Sequence, residues 1–337
     1  MTKALVTGSA GFIGYHVCSR LLEDGYEVFG IDALSEYYDL ALKKQREERL
    51  RLNENFRVLH VPIETPGLLT EVFDAERPDV VIHLAAQAGV RYSIDNPRLY
   101  LESNIAGTFE LLEAARAHPV GHLLLASTSS AYGANSEMPY VETSRSAHQM
   151  SFYAATKASC ESMAHAYSHL YSLPVTMFRF FTVYGPWGRP DMALFKFTKA
   201  ILAGHPIEIY NHGEMQRDFT YIDDLVEAIR LLIGVVPVRP RNGSVPDGDS
   251  LSPVAPWRLV NIGNSRSVRL LDFIDEIEAA LGKAAIRKMM PMQAGDVPAT
   301  WANVDLLRSL TGFEPRTSVK EGVAEFVAWY REYYPDV

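Results

Sequence analysis

The sequence predicts an α/β protein in which a doubly wound parallel sheet is followed by a smaller C-terminal lobe. Three observations carry that prediction. Short apolar runs of β type alternate with amphipathic segments through the N-terminal half, the rhythm of a parallel sheet covered on both faces. A glycine turn, Thr7-Gly8-Ser9-Ala10-Gly11-Phe12-Ile13-Gly14, joins the first run to the first amphipathic segment. The rhythm then loosens after Arg179, where glycine, proline and aromatic residues crowd together from Phe180 to Pro190.

The expected strands are Lys3–Thr7, Glu27–Asp32, Arg57–Val61, Val80–Ala85, His122–Ser127 and Val175–Arg179. Between them Gly14–Glu23 and Asn104–Ala117 read as helices. Two successive βαβαβ halves give a doubly wound sheet. Further on, a helix is expected over Ala193–Ala203, a short strand over Ile207–Tyr210, and helices over Leu270–Leu281 and Val319–Tyr333. The stretch Val235–Trp257, rich in proline, glycine and serine, reads as a surface excursion. The expected division gives 1–179, with about 211–262 returning to it, to the sheet domain, and 180–210 with 263–337 to the smaller lobe.

A chain of 337 residues with 47% hydrophobic and 22% charged residues has the composition of an ordinary globular protein with a full core. Its net charge of −9 argues against duplex nucleic acid or an anionic membrane as main partner. Local arginines can still hold a small anionic ligand. No apolar stretch approaches the roughly 20 residues that span a bilayer. The first apolar run, Ala4-Leu5-Val6, ends in the glycine turn, so no signal peptide is expected. Cys18 and Cys160 are far apart, and neither they nor the ten histidines show metal-ligand spacing. A reducing, cytoplasmic setting and no catalytic metal follow as expectations.

The glycine turn follows a strand and opens a helix with the spacing G-x-x-G-x-x-G. Gly8, Gly11 and Gly14 let the backbone turn tightly and let a pyrophosphate approach the helix N-terminus at Phe12 and Ile13, where free N–H groups and the helix dipole favour negative charge. Asp32 ends the next strand, 18 residues after Gly14, where its carboxylate can accept from both ribose hydroxyls. The same acid repels a 2′-phosphate, so the expected cofactor is NAD and the sheet domain a Rossmann domain. The segment Ala33–Asn55, polar and rich in Lys, Arg and Glu, reads as a solvated helix over the cofactor's edge.

Tyr153-Ala-Ala-Thr-Lys157 places a phenol and an ammonium on one helix face. A phenol with pKa near 10 is a poor base at neutral pH. The ammonium and the positive nicotinamide ring would together favour the phenolate. Alone, the pair reads as packing plus a surface charge. A hydroxyl cluster at the end of a predicted strand, Ser127-Thr128-Ser129-Ser130, turns the reading towards catalysis, because strand ends of doubly wound sheets face the ligand crevice.

With these residues the chain resembles the extended short-chain dehydrogenase/reductase family, and within it the nucleotide-sugar epimerases. Gly8, Gly11 and Gly14 match the family's T-G-x-x-G-F-I-G turn, and His83-Leu84-Ala85-Ala86 its strand along the cofactor. Asn104, Thr128, Tyr153 and Lys157 match its active-site tetrad, with Asn104 counted among the cofactor contacts. Arg217-Asp218-Phe219-Thr220-Tyr221-Ile222-Asp223-Asp224 resembles the stretch beside the nucleotide diphosphate, and Gly295-Asp296-Val297-Pro298 the uridine-side segment. Gln87-Ala-Gly-Val-Arg91-Tyr-Ser93, Ser127–Ser130 and the run from Arg179 through Thr182 and Arg189 to Met192 resemble the UDP-glucuronate 4-epimerases.

That resemblance implies reversible interconversion of UDP-glucuronate and UDP-galacturonate through a 4-keto sugar, with tightly held NAD and a homodimer built on the helices carrying Asn104 and Tyr153. Tyr153 would remove the O4 proton, Thr128 share in its transfer and Lys157 hold the nicotinamide ribose. Gln87, Arg91, Ser129, Ser130, Thr182, Arg189, Tyr210, Arg217 and Asp296 would contact the substrate. The 4-keto intermediate of a uronate is a β-keto acid prone to lose CO₂, so its carboxylate must be held out of alignment with the carbonyl. Ser129, Ser130, Thr182 and Arg189 offer hydrogen bonds and a charge for that. Arg189 reads alternatively as a solvated loop arginine, and Arg91 as the partner of an acid at the seam between lobes. A UDP-glucuronate decarboxylase, a neutral UDP-hexose 4-epimerase and a non-catalytic NAD sensor are the competing functions. Two departures from the family pattern stand out. Val61-Pro62-Ile63 lacks an acid near the adenine, leaving Ile63 to pack there, and Gln293-Ala294 lacks an arginine before the uridine-side segment.

Overall fold

The computed structural model describes residues 1–293 and 296–335. Ala294 and Gly295, named above, lie outside the described residues. Seven parallel strands form the main sheet. In chain order they are β1 (Lys3–Thr7), β2 (Glu27–Ile31), β3 (Phe56–Leu59), β4 (Val80–His83), β5 (His122–Thr128), β6 (Val175–Phe180) and a seventh strand, Trp257–Ile262. Across the sheet the order is Trp257–Ile262, β6, β5, β4, β1, β2, β3. The chain reverses direction across the sheet between β1 and β4, and this switch point opens the crevice in which doubly wound folds bind ligands. Every residue of β4, β5 and β6 is buried, which is why these strands are continuous apolar runs rather than alternating ones.

The strand ends differ from the sequence expectation in a way that shapes the crevice. β4 stops at His83: the Leu84 amide still reaches the Thr7 carbonyl at 3.2 Å, but it is shared with the Thr7 hydroxyl, which also takes the Ala85 amide. β5 runs one residue further than expected, since Thr128 pairs with Phe180. The seventh strand was hidden behind the proline-rich excursion. It pairs with β6 from Trp257↔Val175 to Ile262↔Phe180. The helix Ile222–Ile233 packs on α1 (Phe12–Glu23) and so ties the chain back to the sheet. Smaller sheets, in which Ile286–Met289 pairs with Pro206–Ile209 and Thr182–Tyr184 with Phe219–Tyr221, form the wall opposite the strand ends. They are backed by the helices Ala193–Leu202, Leu270–Leu281 and Val319–Tyr333.

The polar segment after β2 does form a helix, α2 (Leu40–Leu50), but it is not simply solvated. Arg46 is fully buried: its guanidinium donates to the carbonyls of Ala10 at 3.0 Å and Trp187 at 2.5 Å and to the Tyr38 hydroxyl at 2.8 Å. It thus straps the glycine turn to the loop that carries Arg189. Arg46→Met keeps the apolar stem and orphans these acceptors, so it should cost about 2–4 kcal/mol in urea unfolding. A loss under half a kcal/mol would show the strap to be idle.

A second buried group makes stability depend on pH. The Glu142 carboxylate accepts from the Asn261 amide at 2.9 Å, and burial, outweighing that bond, pushes its pKa up to about 7. Because the folded value exceeds the unfolded one, its contribution is complete below the unfolded pKa and is lost as pH rises through about 7. Glu142→Gln imitates the protonated carboxyl. It should gain about 1–3 kcal/mol on the parent at about pH 8 and little at about pH 5. Parallel denaturation profiles at both pH values would refute this.

Candidate active site

The site starts at the glycine turn. Gly8 takes φ +74° and donates to the Ile31 carbonyl at 2.7 Å. A Cβ on Gly14 would lie 1.9 Å from the Gly8 oxygen, so the first turn of α1 closes on the loop only without a side chain there. Gly11 caps that helix with no side-chain hydrogen bond, leaving the first-turn N–H groups of Phe12, Ile13 and Gly14 for an anion. Asp32 accepts from the amides of Ala10 at 3.0 Å and Leu34 at 2.8 Å, so one carboxylate fixes both the turn and the loop after β2. These groups line a cavity of about 360 Å³ together with Ile63, Leu84, Ala85, Ala86 and Gln87. Its bare helix terminus, terminal acid and glycine floor fit a dinucleotide. Gln87, expected on the substrate side, lies on this one.

His83 is a core histidine. It is buried between the hydroxyls of Thr7, at 2.7 Å, and Thr108, at 3.3 Å, and burial lowers its pKa to about 3.

Ser151 caps the helix Phe152–Tyr171, its side chain accepting from the Ala154 amide, and this start aims Tyr153 and Lys157 at the strand ends. Lys157 is buried and donates to the Ala126 carbonyl at 3.0 Å. Burial lowers its pKa. Burial raises that of Tyr153, against the opposing pull of Thr128 and the charge of Arg189. The Lys157 ammonium holds a backbone carbonyl at the end of β5, and without the positive nicotinamide ring the phenol stays above its ordinary range, so the expected joint effect of the two charges depends on the bound cofactor. Thr128 ends β5, and its hydroxyl accepts from the Ser130 amide at 3.2 Å, which opens the tight turn Ser129–Tyr132.

Asn104 also departs from expectation. It is 1% exposed, sits in a π-helical turn, Leu101–Ala106, and has its amide bound to both backbone groups of Gln87 and to the Thr156 hydroxyl. It stands behind the cofactor cavity and joins the cavity wall to the catalytic helix. Such π turns recur at functional sites.

A second cavity, about 770 Å³, holds Ser129, Ser130, Thr182, Arg91, Tyr210, Arg217 and Asp296. Two of the expected substrate contacts pair with each other, Arg91 with Asp296 at 2.8 Å, while Arg91 lies over the Tyr210 ring at 4.9 Å. This trio forms a rim across the mouth. Arg217 is drawn inward and donates to the carbonyls of Gln216 and Pro298, and burial lowers its pKa. Thr128, Tyr153, Arg189 and Tyr37 line both cavities. The two spaces meet at the tyrosine and the hydroxyl beside it, so both groups face a molecule held on either side.

A family model described as the NAD dependent epimerase/dehydratase family matches residues 4–240. The chain belongs to that family. It is 52% identical over 334 residues to a probable UDP-glucuronate 4-epimerase of Rhizobium meliloti, covering 98% of each chain. It is 43% identical to UDP-glucuronate 4-epimerase 1 of Arabidopsis thaliana, over 98% of this chain and 77% of that one. The crystal structure of the Bacillus cereus UDP-glucuronic acid 4-epimerase in complex with UDP-glucuronic acid and NAD aligns with a TM-score of 0.88 at 32% identity, over 99% of this chain and 100% of that one.

In this family member three functional neighbours escaped the sequence reading. Lys43, on α2, lines the cofactor cavity beside Asp32 and donates to Ser35. Glu64 follows the acid-free Val61-Pro62-Ile63 run and lines the same cavity. Glu161, one turn beyond Lys157, forks Arg179 at 2.9 and 2.7 Å and accepts from Ser127 at 2.5 Å, bracing the end of β5 from below. The spacing of Lys157 and Glu161 was the available signal for the last. Among the described residues no group of three or more His, Cys, Asp or Glu could hold a metal ion, and no helix is long and apolar enough to cross a membrane.

Proposed function

We propose that this protein inverts C4 of a UDP-uronate, interconverting UDP-glucuronate and UDP-galacturonate with NAD held throughout. The observation that carries this reading is the single junction at which Tyr153 and Thr128 face both cavities, next to the hydroxyls of Ser129, Ser130 and Thr182 and the charge of Arg189. The similarity to the probable UDP-glucuronate 4-epimerase of Rhizobium meliloti and to UDP-glucuronate 4-epimerase 1 of Arabidopsis thaliana supports it.

Bound NAD supplies the hydride acceptor and donor at C4. Tyr153 takes the O4 proton and later returns it, with Thr128 sharing the hydrogen bond at O4. Because burial holds the phenol up in the free protein, its ionisation awaits a positive charge in the cofactor cavity. The first-turn amides of α1 take the pyrophosphate, Asp32 the adenosine ribose, Ile63 the adenine and Lys157 the nicotinamide ribose. Arg217 and Asp296 serve the UDP end, while Arg189 and the hydroxyls hold the carboxylate of the keto acid away from the carbonyl plane.

Incubating the purified protein with UDP-glucuronate and no added NAD, with products read by NMR, tests the reading. UDP-galacturonate is the expected product. CO₂ with a UDP-pentose as the main product would make it a decarboxylase, and inertness to the uronate with turnover of UDP-glucose a hexose epimerase.

The division into a Rossmann domain, 1–179 with about 211–262, and a UDP-sugar lobe, 180–210 with 263–337, belongs to the same proposal, as does a cytoplasmic setting, supported by two free buried cysteines. A homodimer completes it. Helices Gly107–Ala117 and Phe152–Tyr171 pack together and leave Phe109 and Phe152 exposed at 43% and 42%. Phe109→Glu should convert a dimer to a monomer in sedimentation equilibrium. A parent protein that already sediments as a monomer would refute the dimer.

A further inference from the structure

Arg189 does not enter the junction alone. Asp191, two residues on, accepts from its Nε at 2.9 Å and its Nη2 at 2.5 Å, a side-on fork that occupies one edge of the guanidinium and leaves the Nη1 edge for another group. The pair is sheltered, its side chains 21% and 25% exposed. A third member comes from the other side of the crevice: the Tyr37 hydroxyl donates to Asp191 at 3.0 Å, and its ring lies 5.7 Å below the guanidinium. Tyr37 belongs to the loop that Asp32 anchors at Leu34, and it fits there because Gly89 has no side chain. A Cβ at Gly89 would stand 2.8 Å from the Tyr37 oxygen. Burial favours protonation of Asp191, but the charge of Arg189 and the bonds from Arg189 and Tyr37 hold it below its ordinary range, so the fork is ionic.

We propose that Asp191, itself fixed by Tyr37, is the positioning residue that locks the plane of Arg189 and thereby decides how much of the 4-keto acid keeps its carboxylate. This rests on the proposed epimerisation of UDP-uronates and deepens it. A guanidinium free to rotate about its stem holds a carboxylate in many directions, including the one in which C5–C6 lies parallel to the π orbitals of the C4 carbonyl. In that alignment the C5–C6 bond breaks, its electron pair stays on C5 as an enolate, and CO₂ departs. Water then supplies a proton to C5. The product is a UDP-4-ketopentose, and the hydride removed from C4 stays on the cofactor. A locked guanidinium plane admits fewer directions and suppresses this leak. The device also links the two cavities, because the residue that steadies the substrate-side arginine sits on the loop that carries the ribose-binding acid.

The test is the product ratio of Asp191→Asn and Tyr37→Phe with UDP-glucuronate, reading UDP-galacturonate, UDP-4-ketopentose and CO₂ by NMR and the reduced nicotinamide by absorbance. Asp191→Asn should raise the decarboxylated fraction at least about tenfold over the parent, the scale of one lost charge-assisted hydrogen bond. Tyr37→Phe, which removes a single hydroxyl and carries the test if the first variant fails to fold, should move the ratio the same way by about two- to fivefold. A structural role alone would lower overall activity without changing the ratio. An unchanged ratio in both variants, or a lower KM for UDP-glucuronate in Asp191→Asn with no pentose, would overturn the proposal while leaving epimerisation intact. A parent enzyme that forms no UDP-galacturonate would overturn both.

Discussion

Tyr153→Phe should lower kcat for UDP-glucuronate epimerisation by about a thousandfold, within the range that a positioned general base contributes. The ring packing should survive, since Tyr153 meets Tyr100 edge to face at 5.9 Å through its ring and not its hydroxyl. KM, NAD content and melting temperature should therefore stay near the parent's while the chemical step fails. The parent's kcat should rise with pH as the phenol ionises, and the remnant activity of the variant should lose that slope. A variant that epimerises at the parent rate would remove Tyr153 from the mechanism, whatever the fate of the rest.

The second large effect lies at the other end of the crevice. Gly14→Ala puts a methyl group 1.9 Å from the Gly8 carbonyl, an atom of the backbone that cannot rotate aside. Either α1 retreats from the turn or the turn opens, and both move the first-turn amides away from the pyrophosphate. Retention of NAD through purification should fall by at least about a hundredfold, with a stability loss of about 3 kcal/mol or more, because strain and a displaced helix terminus act together. Protein that still carries one NAD per chain and melts with the parent would show that the turn yields more easily than its geometry says.

How far the site could be read from the residues depended on the range over which each contact acts. The glycine turn, Asp32 and the Tyr153–Lys157 face are local patterns, and local patterns survive in one dimension. Asn104 was legible as a motif but not in its place, because its amide closes on Gln87 and Thr156, which only the folded chain brings near. Arg46 looked solvated in a segment of charges, and burial of a guanidinium against the Tyr38 hydroxyl and the distant carbonyls of Ala10 and Trp187 leaves no periodic trace. Asp191 stood inside a stretch already singled out, yet its hold on Arg189 shows only once Tyr37 arrives from 154 residues away. The seventh strand was missed for another reason: an excursion rich in proline and glycine hid an apolar run that needs β6 as its neighbour.

The two spaces that share Tyr153 are unequal, about 360 Å³ against about 770 Å³. Epimerisation needs one partner to stay still and the other to turn over, showing first one face and then the other to the same hydride. The narrow chamber serves as the stator. The roomier one is the rotor housing, in which a flat ketone can swing about its diphosphate tether while the serine and threonine hydroxyls along its wall give it stopping points. Adding bulk at Ala193 or Ala200, on the wall of the larger chamber, should then yield an enzyme that oxidises its sugar and returns it unchanged.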